Sequence, residues 1–391
     1  MSSVFFTEEE NKFRDELREF VKNEIEPMVT GIEKKNGYEL IKKSFRKLGA
    51  QGFLGVLHPK DVGGSAKGLA YEIIVGDEIA YASGSLDLCR LASVCLYGMP
   101  LNRFGTKEQR HKYLAPVIKG EKIGAIGITE PDVGSDTAGM KTNARKEGDH
   151  YVLNGEKRFI TNGSQADFLC IFAITNPKVH PHQGMSAFII EKGMPGFTAL
   201  KDYELMGLDG AKVSHLKFEN VNVPKENLLG AESFGFPILM DELDSERTAI
   251  AGQLIGGARA ALDIAVKYST ERVQFDQTIS RFEAVSFKVA DMATRIEATR
   301  LLALEAARRL DKGLPATKHA TMAKLFASET AIDVTYQALQ VLGGIGYTKE
   351  YPIEMLARTA RLATIGGGTA EICRFLIQRE VYKEFKGSKK K

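Results

Sequence analysis

The spacing of hydrophobic positions predicts three zones along the chain, and the first of them is helical. From residue 7 to about 122, apolar residues recur every three or four positions, as Phe13 and Leu17 do. Thr7 and Glu10 precede them at the spacing of a capping box, in which each side chain bonds the backbone of the other residue. We therefore expect an N-terminal helical domain over residues 1–122.

The middle zone, residues 123–232, has a period of two. Segments such as MSAFIIEK and KVSHLKFENVNVP alternate apolar and polar residues, which predicts strands. The dipeptide Asn154-Gly155 lies between two alternating segments of HYVLNGEKRFIT and is typical of a hairpin turn. We expect a mostly antiparallel β domain that includes a hairpin at this dipeptide.

Helical spacing returns in the last zone, residues 233–391. The segment IEATRLLALEAARRLDKGLP is long and amphipathic, and Gly313 followed by Pro315 is typical of a helix C-terminus. Ala-rich faces allow helices to pack closely, within a bundle or between subunits. We expect a C-terminal four-helix bundle, so the predicted fold class is α+β, in the order helical domain, β domain, helical bundle.

Composition and charge exclude several classes of protein. The chain has 391 residues, 43% hydrophobic and 26% charged, which suits a soluble globular protein of two or three domains. The net charge of +3 is too small to favour nucleic acid, and no apolar run of about 18 residues predicts a membrane span. The start MSSVFFTEEENKF has no signal- or transit-peptide pattern. Its four cysteines form no metal-binding spacing. We expect a cytoplasmic protein without a metal site.

The common nucleotide-binding motifs are absent, but four other segments are informative together. Neither GxGxxG before a helix nor GxxxxGK[ST] occurs. The four segments are GITEPDVGSDTAGM, NGEKRFITNGSQADF, STERVQFDQTISRFEAVSFKVADM and QALQVLGGIGYTKEYPIEMLARTARLATIGGGTAEICR. Each alone would be a connecting loop, core packing or a solvated helix face. Together, in this order and spacing, they resemble the flavin-dependent acyl-CoA dehydrogenase family, which has the three-domain architecture described above.

The resemblance implies that FAD lies between the β domain and the C-terminal bundle. Thr129 would hydrogen-bond the flavin ring, and Ser135 would reach the pantetheine arm of a CoA thioester. Phe159 would lie against the isoalloxazine and Thr161 near its N5 edge, and their spacing of two predicts one strand face for both. Fixed donors there would stabilise the negative charge that a hydride-accepting flavin develops.

The resemblance also implies that the adenine end of FAD reaches a neighbouring subunit. Arg272 would pair with the pyrophosphate of that subunit's FAD, for which a planar, multidentate guanidinium is suited. A site shared between chains implies a homo-oligomer, and we expect a tetramer. The complete set of cofactor-binding residues implied is Ile126, Ile128, Thr129, Ser135, Phe159, Thr161, Arg272, Phe275, Gln340, Gly343, Gly344, Thr369 and Glu371.

Three consecutive glycines in IGGGT raise the question of the catalytic base. Dehydrogenation of an acyl-CoA requires removal of a weakly acidic α-proton, which needs a buried carboxylate of raised pKa. Many members of the family carry that Glu where this chain has Gly367. Glu246, in DELDSERTAIAG, resembles the base of the isovaleryl-CoA and long-chain subgroup, which lies on a different helix. We predict Glu246 as the base; the alternative is a solvent-facing Glu.

Substrate-binding residues are implied by the same resemblance. Gly366 and Gly367 would leave space for a branched or cyclic acyl group. Asp87 stands where glutaryl-CoA dehydrogenases carry an Arg, which argues against a dicarboxylyl substrate. Asp87 is either a second base, as in relatives that dehydrogenate cyclohexenecarboxyl-CoA, or it pairs with Arg90 or faces elsewhere. The implied set is Ser135, Asp87, Leu91, Asp244, Arg247, Gly366 and Gly367.

The expected function is therefore FAD-dependent α,β-dehydrogenation of a short, branched or cyclic acyl-CoA, with electrons passed to an electron-transfer flavoprotein. Two alternatives stay open at the level of the sequence. One is a family member of unusual regiochemistry or a lyase that does not oxidise its substrate. The other is a CoA-binding scaffold without enzymatic activity.

Overall fold

The computed structural model describes residues 4–388, and its first part is helical as expected. Thr7 caps the first helix as predicted: the Glu10 amide donates to the Thr7 hydroxyl at 3.2 Å, and the Thr7 amide donates to the Glu10 carboxylate at 2.9 Å. The helices are α1 Glu8–Phe20, α2 Glu26–Ile32, α3 Tyr38–Ala50, α4 Leu69–Ala82, α5 Gly84–Leu91, α6 Gly98–Phe104, α7 Lys107–Gln109 and α8 Ala115–Ile118. Three π-helical turns join consecutive helices, at Val21–Ile25, Ala92–Tyr97 and Arg110–Leu114.

An eight-stranded sheet forms the middle of the molecule. Its strands are β1 Gly124–Gly127, β2 Asn143–Glu147, β3 His150–Thr161, β4 Phe168–Ile174, β5 Met185–Glu191, β6 Phe197–Asp202, β7 Val213–Pro224 and β8 Leu228–Leu229, with a short helix α9, Pro181–Gly184, before β5. The order across the sheet is β6-β7-β3-β2-β4-β5-β8, and β1 pairs with β4. The contacts of β4 with β1 and β2 are parallel, and the other pairs are antiparallel, so the mostly antiparallel prediction is confirmed.

The predicted hairpin at Asn154-Gly155 is wrong. The dipeptide lies inside β3, which continues to pair with β7 on both sides of a register shift between Leu153 and Gly155. Gly155 has φ +147°, and a Cβ there would lie 2.4 Å from the Thr142 hydroxyl, so this glycine serves a bulge and a close approach. The tight turn is instead at Gly148, between β2 and β3, where φ is +62°.

Four long helices make the C-terminal part, which confirms the predicted bundle. They are α10 Gly235–Glu271, α11 Glu283–Asp311, α12 Thr317–Leu342 and α14 Ala370–Ser388; a shorter α13 spans Ile353–Ala360, and a small hairpin, β9 Val273–Gln274 with β10 Gln277–Thr278, follows α10. Helix α10 packs on α4 through glycines. A Cβ at Gly252 would meet the Ile73 carbonyl at 2.5 Å, and one at Gly256 would meet the Asp77 carbonyl at 2.3 Å.

Helix α10 is long and apolar enough to cross a membrane by length and composition alone, and it is the one such helix in the part of the chain that the structure describes. However, 67% of its apolar window is buried inside the protein, against α4 and the bundle. The apolar composition of α10 is therefore explained by its position in the core of the protein.

Candidate active site

The carboxylate of Glu246 lies beside the glycine turn. Glu246 is on α10 and only 7% exposed. A Cβ built at Gly367 would lie 2.8 Å from Oε1 of Glu246, so the carboxylate occupies the space that a side chain at 367 would need. Gly367 also has φ +65°, which L-residues with a side chain rarely adopt. The structure therefore brings the predicted base and the missing side chain to one place, and it contradicts the alternative of a solvent-facing Glu246.

The electrostatics around Glu246 suit a base. Burial raises the pKa of its carboxyl, and the charges of Arg247 and Lys324 act against that rise. Burial also disfavours the charged form of Lys324, so it lowers the pKa of this ammonium, which lies in the interior on α12. The raised pKa makes the Glu246 carboxylate a stronger base. The two nearby cations stabilise its ionised form, which is the form that accepts a proton.

Helix α12 holds the glycine turn in position. The Lys324 ammonium donates to the Gly368 carbonyl, and the Ser328 hydroxyl donates to the Ala363 carbonyl at 3.0 Å. Sequence reasoning missed Lys324. A signal existed, because Lys324 shares helical spacing with the buried Ala320 and Ala327, where a charged residue would be costly unless it had a partner.

Asp244 and Arg247 extend the site along α10. Asp244 accepts from the Thr317 hydroxyl at 2.5 Å and pairs with the Arg247 guanidinium at 3.4 Å. Nη2 of Arg247 lies 3.8 Å from where a Cβ of Gly368 would stand. The structure thus brings Asp244, Glu246 and Arg247 together with the glycine turn.

Asp87 is paired inside the protein. The Arg90 Nε donates to Asp87 at 2.6 Å, and its Nη1 donates to Glu72 of α4 at 2.6 Å, with all three side chains fully buried. Of the two alternatives left open by the sequence, this geometry favours the pair with Arg90. Leu91, the next residue, is 2% exposed and packs in the core.

An apolar pocket is lined by residues of α10 and of the segment that precedes the glycine turn. Among its lining residues are Gly84, Leu88, Ile250, Leu254, Leu362 and Ala363. Ile250 follows Glu246 by one turn of α10, and Ala363 precedes Gly367 by four residues. The pocket is therefore where a hydrocarbon chain could lie close to the carboxylate.

A buried ion pair fixes the loop that follows β1. The Lys157 ammonium donates to the Ile128 carbonyl at 3.0 Å and to the Glu130 carboxylate at 2.8 Å, and the Arg158 amide donates to the Thr129 carbonyl at 2.8 Å. Burial lowers the pKa of Lys157 to about 8, against the pull of Glu130. Ile126 is buried, and Thr129 is partly accessible on a backbone held from β3. No sequence pattern distinguished Lys157 from a surface lysine on a strand.

Phe159 is strained and accessible. Its φ is +59° and its ring is 56% exposed, at an irregularity of the β3–β7 pairing between Lys157 and Ile160. The bulge interrupts the period of two between Lys157 and Ile160, while Phe159 and Thr161 are both accessible on either side of the buried Ile160. A bulky residue at positive φ is costly, and such positions cluster at functional sites. With the fixed Thr129 loop nearby in the sheet, these residues fit a planar, ring-shaped cofactor.

The other residues implied for the cofactor lie on the surface. The exposed ones are Ser135, Arg272, Phe275, Gln340, Gly343, Gly344 and Glu371. Phe275 is 87% exposed with φ +50°, beside the β9–β10 hairpin. Thr369 caps α14, because the Ile372 amide donates to its hydroxyl at 3.2 Å. One chain alone does not enclose these residues, so their roles stay predictions: an FAD site shared between subunits for Arg272, Phe275, Gln340, Gly343 and Gly344, and contacts with substrate or cofactor for Ser135, Thr369 and Glu371.

Comparisons with known proteins match the chain over almost its whole length. Family models for the N-terminal, middle and C-terminal domains of acyl-CoA dehydrogenase match residues 7–121, 125–221 and 234–382. A short-chain specific acyl-CoA dehydrogenase of Clostridium acetobutylicum is 40% identical over 377 residues, which is 96% of this chain and 99% of that protein.

Two solved structures are similar over almost the whole chain. Butyryl-CoA dehydrogenase from Megasphaera elsdenii superposes with a TM-score of 0.92 at 37% identity, covering 98% of this chain and 100% of that one. A chain in a structure of the electron transferring flavoprotein of Acidaminococcus fermentans gives a TM-score of 0.92 at 41% identity, covering 97% of this chain and 99% of that one.

Proposed function

The chain belongs to the acyl-CoA dehydrogenase family of FAD-dependent oxidoreductases, and we propose that it dehydrogenates short acyl-CoA thioesters with Glu246 as the base that removes the α-proton. One observation supports the assignment of the base above all others. The Glu246 carboxylate fills the space beside Gly367, at 2.8 Å from a Cβ there, where many family members have the catalytic Glu.

Different residues of this chain have different roles in the proposed reaction. Glu246 takes the α-proton, so the Cα–H bond breaks as an O–H bond forms on the carboxyl. The charges of Arg247 and Lys324 stabilise the ionised base before the transfer. Burial of the Glu246 side chain limits its contact with water, which keeps the carboxylate basic. Bound FAD supplies the acceptor for the β-hydrogen, and Thr129, Phe159 and Thr161 are the residues we propose to hold its ring.

The similar proteins support a short acyl group as the substrate, and two features of this chain are compatible with ordinary α,β-chemistry on such a group. Gly366 leaves open space, since a Cβ there would meet nothing nearer than 3.9 Å. Asp87 is engaged by Arg90, so we do not assign it as a second base. The similar proteins from Clostridium acetobutylicum and Megasphaera elsdenii are described as short-chain specific and butyryl-CoA enzymes. Branched short chains fit the same open turn.

We further propose an electron-transfer flavoprotein as the electron acceptor and a homotetramer as the working form in the cytoplasm. The similar chain in the electron transferring flavoprotein structure supports the acceptor. The exposed Arg272 and Phe275 support the oligomer, because a strained, 87% exposed Phe is the kind of residue that a subunit interface covers.

The test is anaerobic bleaching of the purified, FAD-loaded protein by CoA esters. We expect butyryl-CoA and isovaleryl-CoA to bleach the flavin and glutaryl-CoA to fail. Glu246→Gln should keep its FAD, judged by absorbance per chain, and should bleach at least about 100-fold more slowly, as loss of a general base predicts. Glu384→Gln, on the exposed face of α14, is the matched control and should behave like the unmodified protein. Bleaching by Glu246→Gln at the normal rate would remove Glu246 from the mechanism.

A further inference from the structure

The exposed ring of Phe159 lies against two neighbouring side chains, Arg158 of β3 and Tyr203, which follows β6. The ring centroids of Phe159 and Tyr203 are 5.0 Å apart, with the planes tilted by 40°. The Arg158 guanidinium lies 5.0 Å from the Phe159 centroid and 5.7 Å from the Tyr203 centroid, distances at which a cation and an aromatic ring attract each other. The Nε of Arg158 also donates to the Tyr203 hydroxyl at 2.9 Å. The reaction as described above uses neither Arg158 nor Tyr203.

The backbone of Phe159 needs support from its surroundings. Its φ of +59° is unfavourable for a bulky residue, and such a conformation persists only where neighbouring groups over-determine it. The ring is 56% exposed, so the core packs against less than half of it. The contacts with Arg158 and Tyr203 are therefore the ones that fix where the ring lies.

The same two residues connect the three side chains proposed to hold the flavin ring. The Arg158 amide donates to the Thr129 carbonyl at 2.8 Å, so Arg158 is tied to the loop after β1 through its backbone and to Phe159 through its side chain. The Tyr203 amide donates to the Val213 carbonyl at 2.8 Å, and Val213 is the register partner of Thr161 on β3. One chain of contacts therefore runs from the Thr129 loop through Arg158 and Tyr203 to the strand that pairs with Thr161.

We propose that Arg158 and Tyr203 are positioning residues that hold Phe159 in its exposed, left-handed conformation, so that its ring is already in place when the flavin ring binds. The inference rests on the proposed function in that Thr129, Phe159 and Thr161 hold the ring of FAD. Neither Arg158 nor Tyr203 takes part in proton transfer, and both act through Phe159. A ring that is ordered beforehand does not have to be ordered on binding, which favours retention of the cofactor.

The test uses the FAD-loaded variants Arg158→Met and Tyr203→Phe. Met keeps the backbone amide and an unbranched stem but removes the guanidinium, and Phe removes only the hydroxyl that Arg158 bonds. Both variants should change the visible circular dichroism of the bound flavin. Both should release FAD about two- to tenfold faster after dilution, measured by ultrafiltration, because one net hydrogen bond is lost and losses of affinity appear mainly in dissociation.

Two further variants serve as controls. Lys201→Met changes a cation that lies 4.9 Å from the Tyr203 centroid without belonging to the Arg158–Tyr203 pair, so it should keep the wild-type dichroism and release rate. The double variant Arg158→Met/Tyr203→Phe should release FAD no faster than Arg158→Met alone, because both changes remove the same hydrogen bond. A multiplied effect in the double variant would contradict the coupling of the two residues.

The outcomes separate this inference from the proposed function. If Phe159→Ala changes the flavin dichroism but Arg158→Met and Tyr203→Phe do not, the proposed site of the ring stands and the role of the pair is wrong. A lower Tm of the two variants with unchanged dichroism and release would show a structural role alone and would also overturn the inference. If Phe159→Ala too leaves the dichroism unchanged, the proposed contact with the flavin fails, and the inference fails with it. Should Arg158→Met not fold, Tyr203→Phe decides by the same two measurements.

Discussion

At the scale of single residues, the site is defined by two positions, a glycine at 367 and a glutamate at 246. The sequence could show that Gly367 and Glu246 depart together from the commoner pattern. It could not show that the two positions meet, because residues 121 apart in the chain touch only through the packing of α10 and α12. Nor could it show the buried carboxyl of Glu242, since an acidic residue in DELDSER has the same pattern on a solvated helix face. The structure shows the meeting of Glu246 with Gly367 and the burial of Glu242, because it places this part of α10 in the interior.

Gly367→Ala should damage the protein in two ways. The new Cβ would stand 2.8 Å from the Glu246 carboxylate and displace it, and φ of +65° would add about 1 kcal/mol of backbone strain. We expect kcat to fall at least about tenfold and the free energy of unfolding to drop by about 1–2 kcal/mol. Denaturant unfolding and steady-state kinetics measure the two effects.

Gly366→Ala is the matched comparison for stability. Its Cβ would meet nothing nearer than 3.9 Å, and its φ is not positive, so unfolding should change by less than about 0.5 kcal/mol. Equal losses of stability at 366 and 367 would contradict the contact between Gly367 and Glu246.

At the scale of elements, ion pairs in the interior tie the helices and strands that frame the site. Arg90 joins α5 to α4, and Lys157 joins β3 to the loop after β1. The hydrophobic periods predicted the existence of the helices and most strands, since those patterns are local. The bulges at Gly155 and Phe159 could not be predicted from a period of two, because pairing with β7 and the approach of Thr142 determine them.

Arg90→Leu should be strongly destabilising. It would leave the carboxyls of Glu72 and Asp87 buried without a cation, which costs about 3–5 kcal/mol when one partner of a buried pair is removed. Asp87→Asn keeps the Arg90–Glu72 pair, so its free energy of unfolding should fall clearly less than that of Arg90→Leu. Urea unfolding of the two variants checks the order, and a milder effect of Arg90→Leu than of Asp87→Asn would refute it.

At the scale of the whole molecule, the site lies where the three parts of the chain meet. Helix α10 carries the proposed base, the β domain carries the proposed cofactor loop, and residues of the N-terminal helices help to line the apolar pocket. The order of the three zones was predictable, because each has its own hydrophobic period. The association of subunits is predicted through the resemblance alone and stays a proposal, since exposure of Arg272 and Phe275 in one chain does not show what covers them.

Arg272→Ala should lower the FAD content of the purified protein if this side chain pairs with a pyrophosphate across subunits. Arg145→Ala, a 76% exposed arginine on β2, is the control and should keep its FAD. The ratio of flavin to protein absorbance gives the occupancy, and sedimentation gives the assembled mass, for which we expect a tetramer. Full occupancy in Arg272→Ala would exclude the pairing.

The most direct measurement of the central claim is exchange of the substrate α-hydrogen with solvent. A CoA thioester that cannot be oxidised at its β-carbon is incubated in D₂O with the FAD-loaded protein, and α-deuteration is followed by NMR. We predict exchange with the wild type and none above background with Glu246→Gln, because only the proton-transfer step is observed. Equal exchange by both proteins would contradict the assignment of Glu246 as the base.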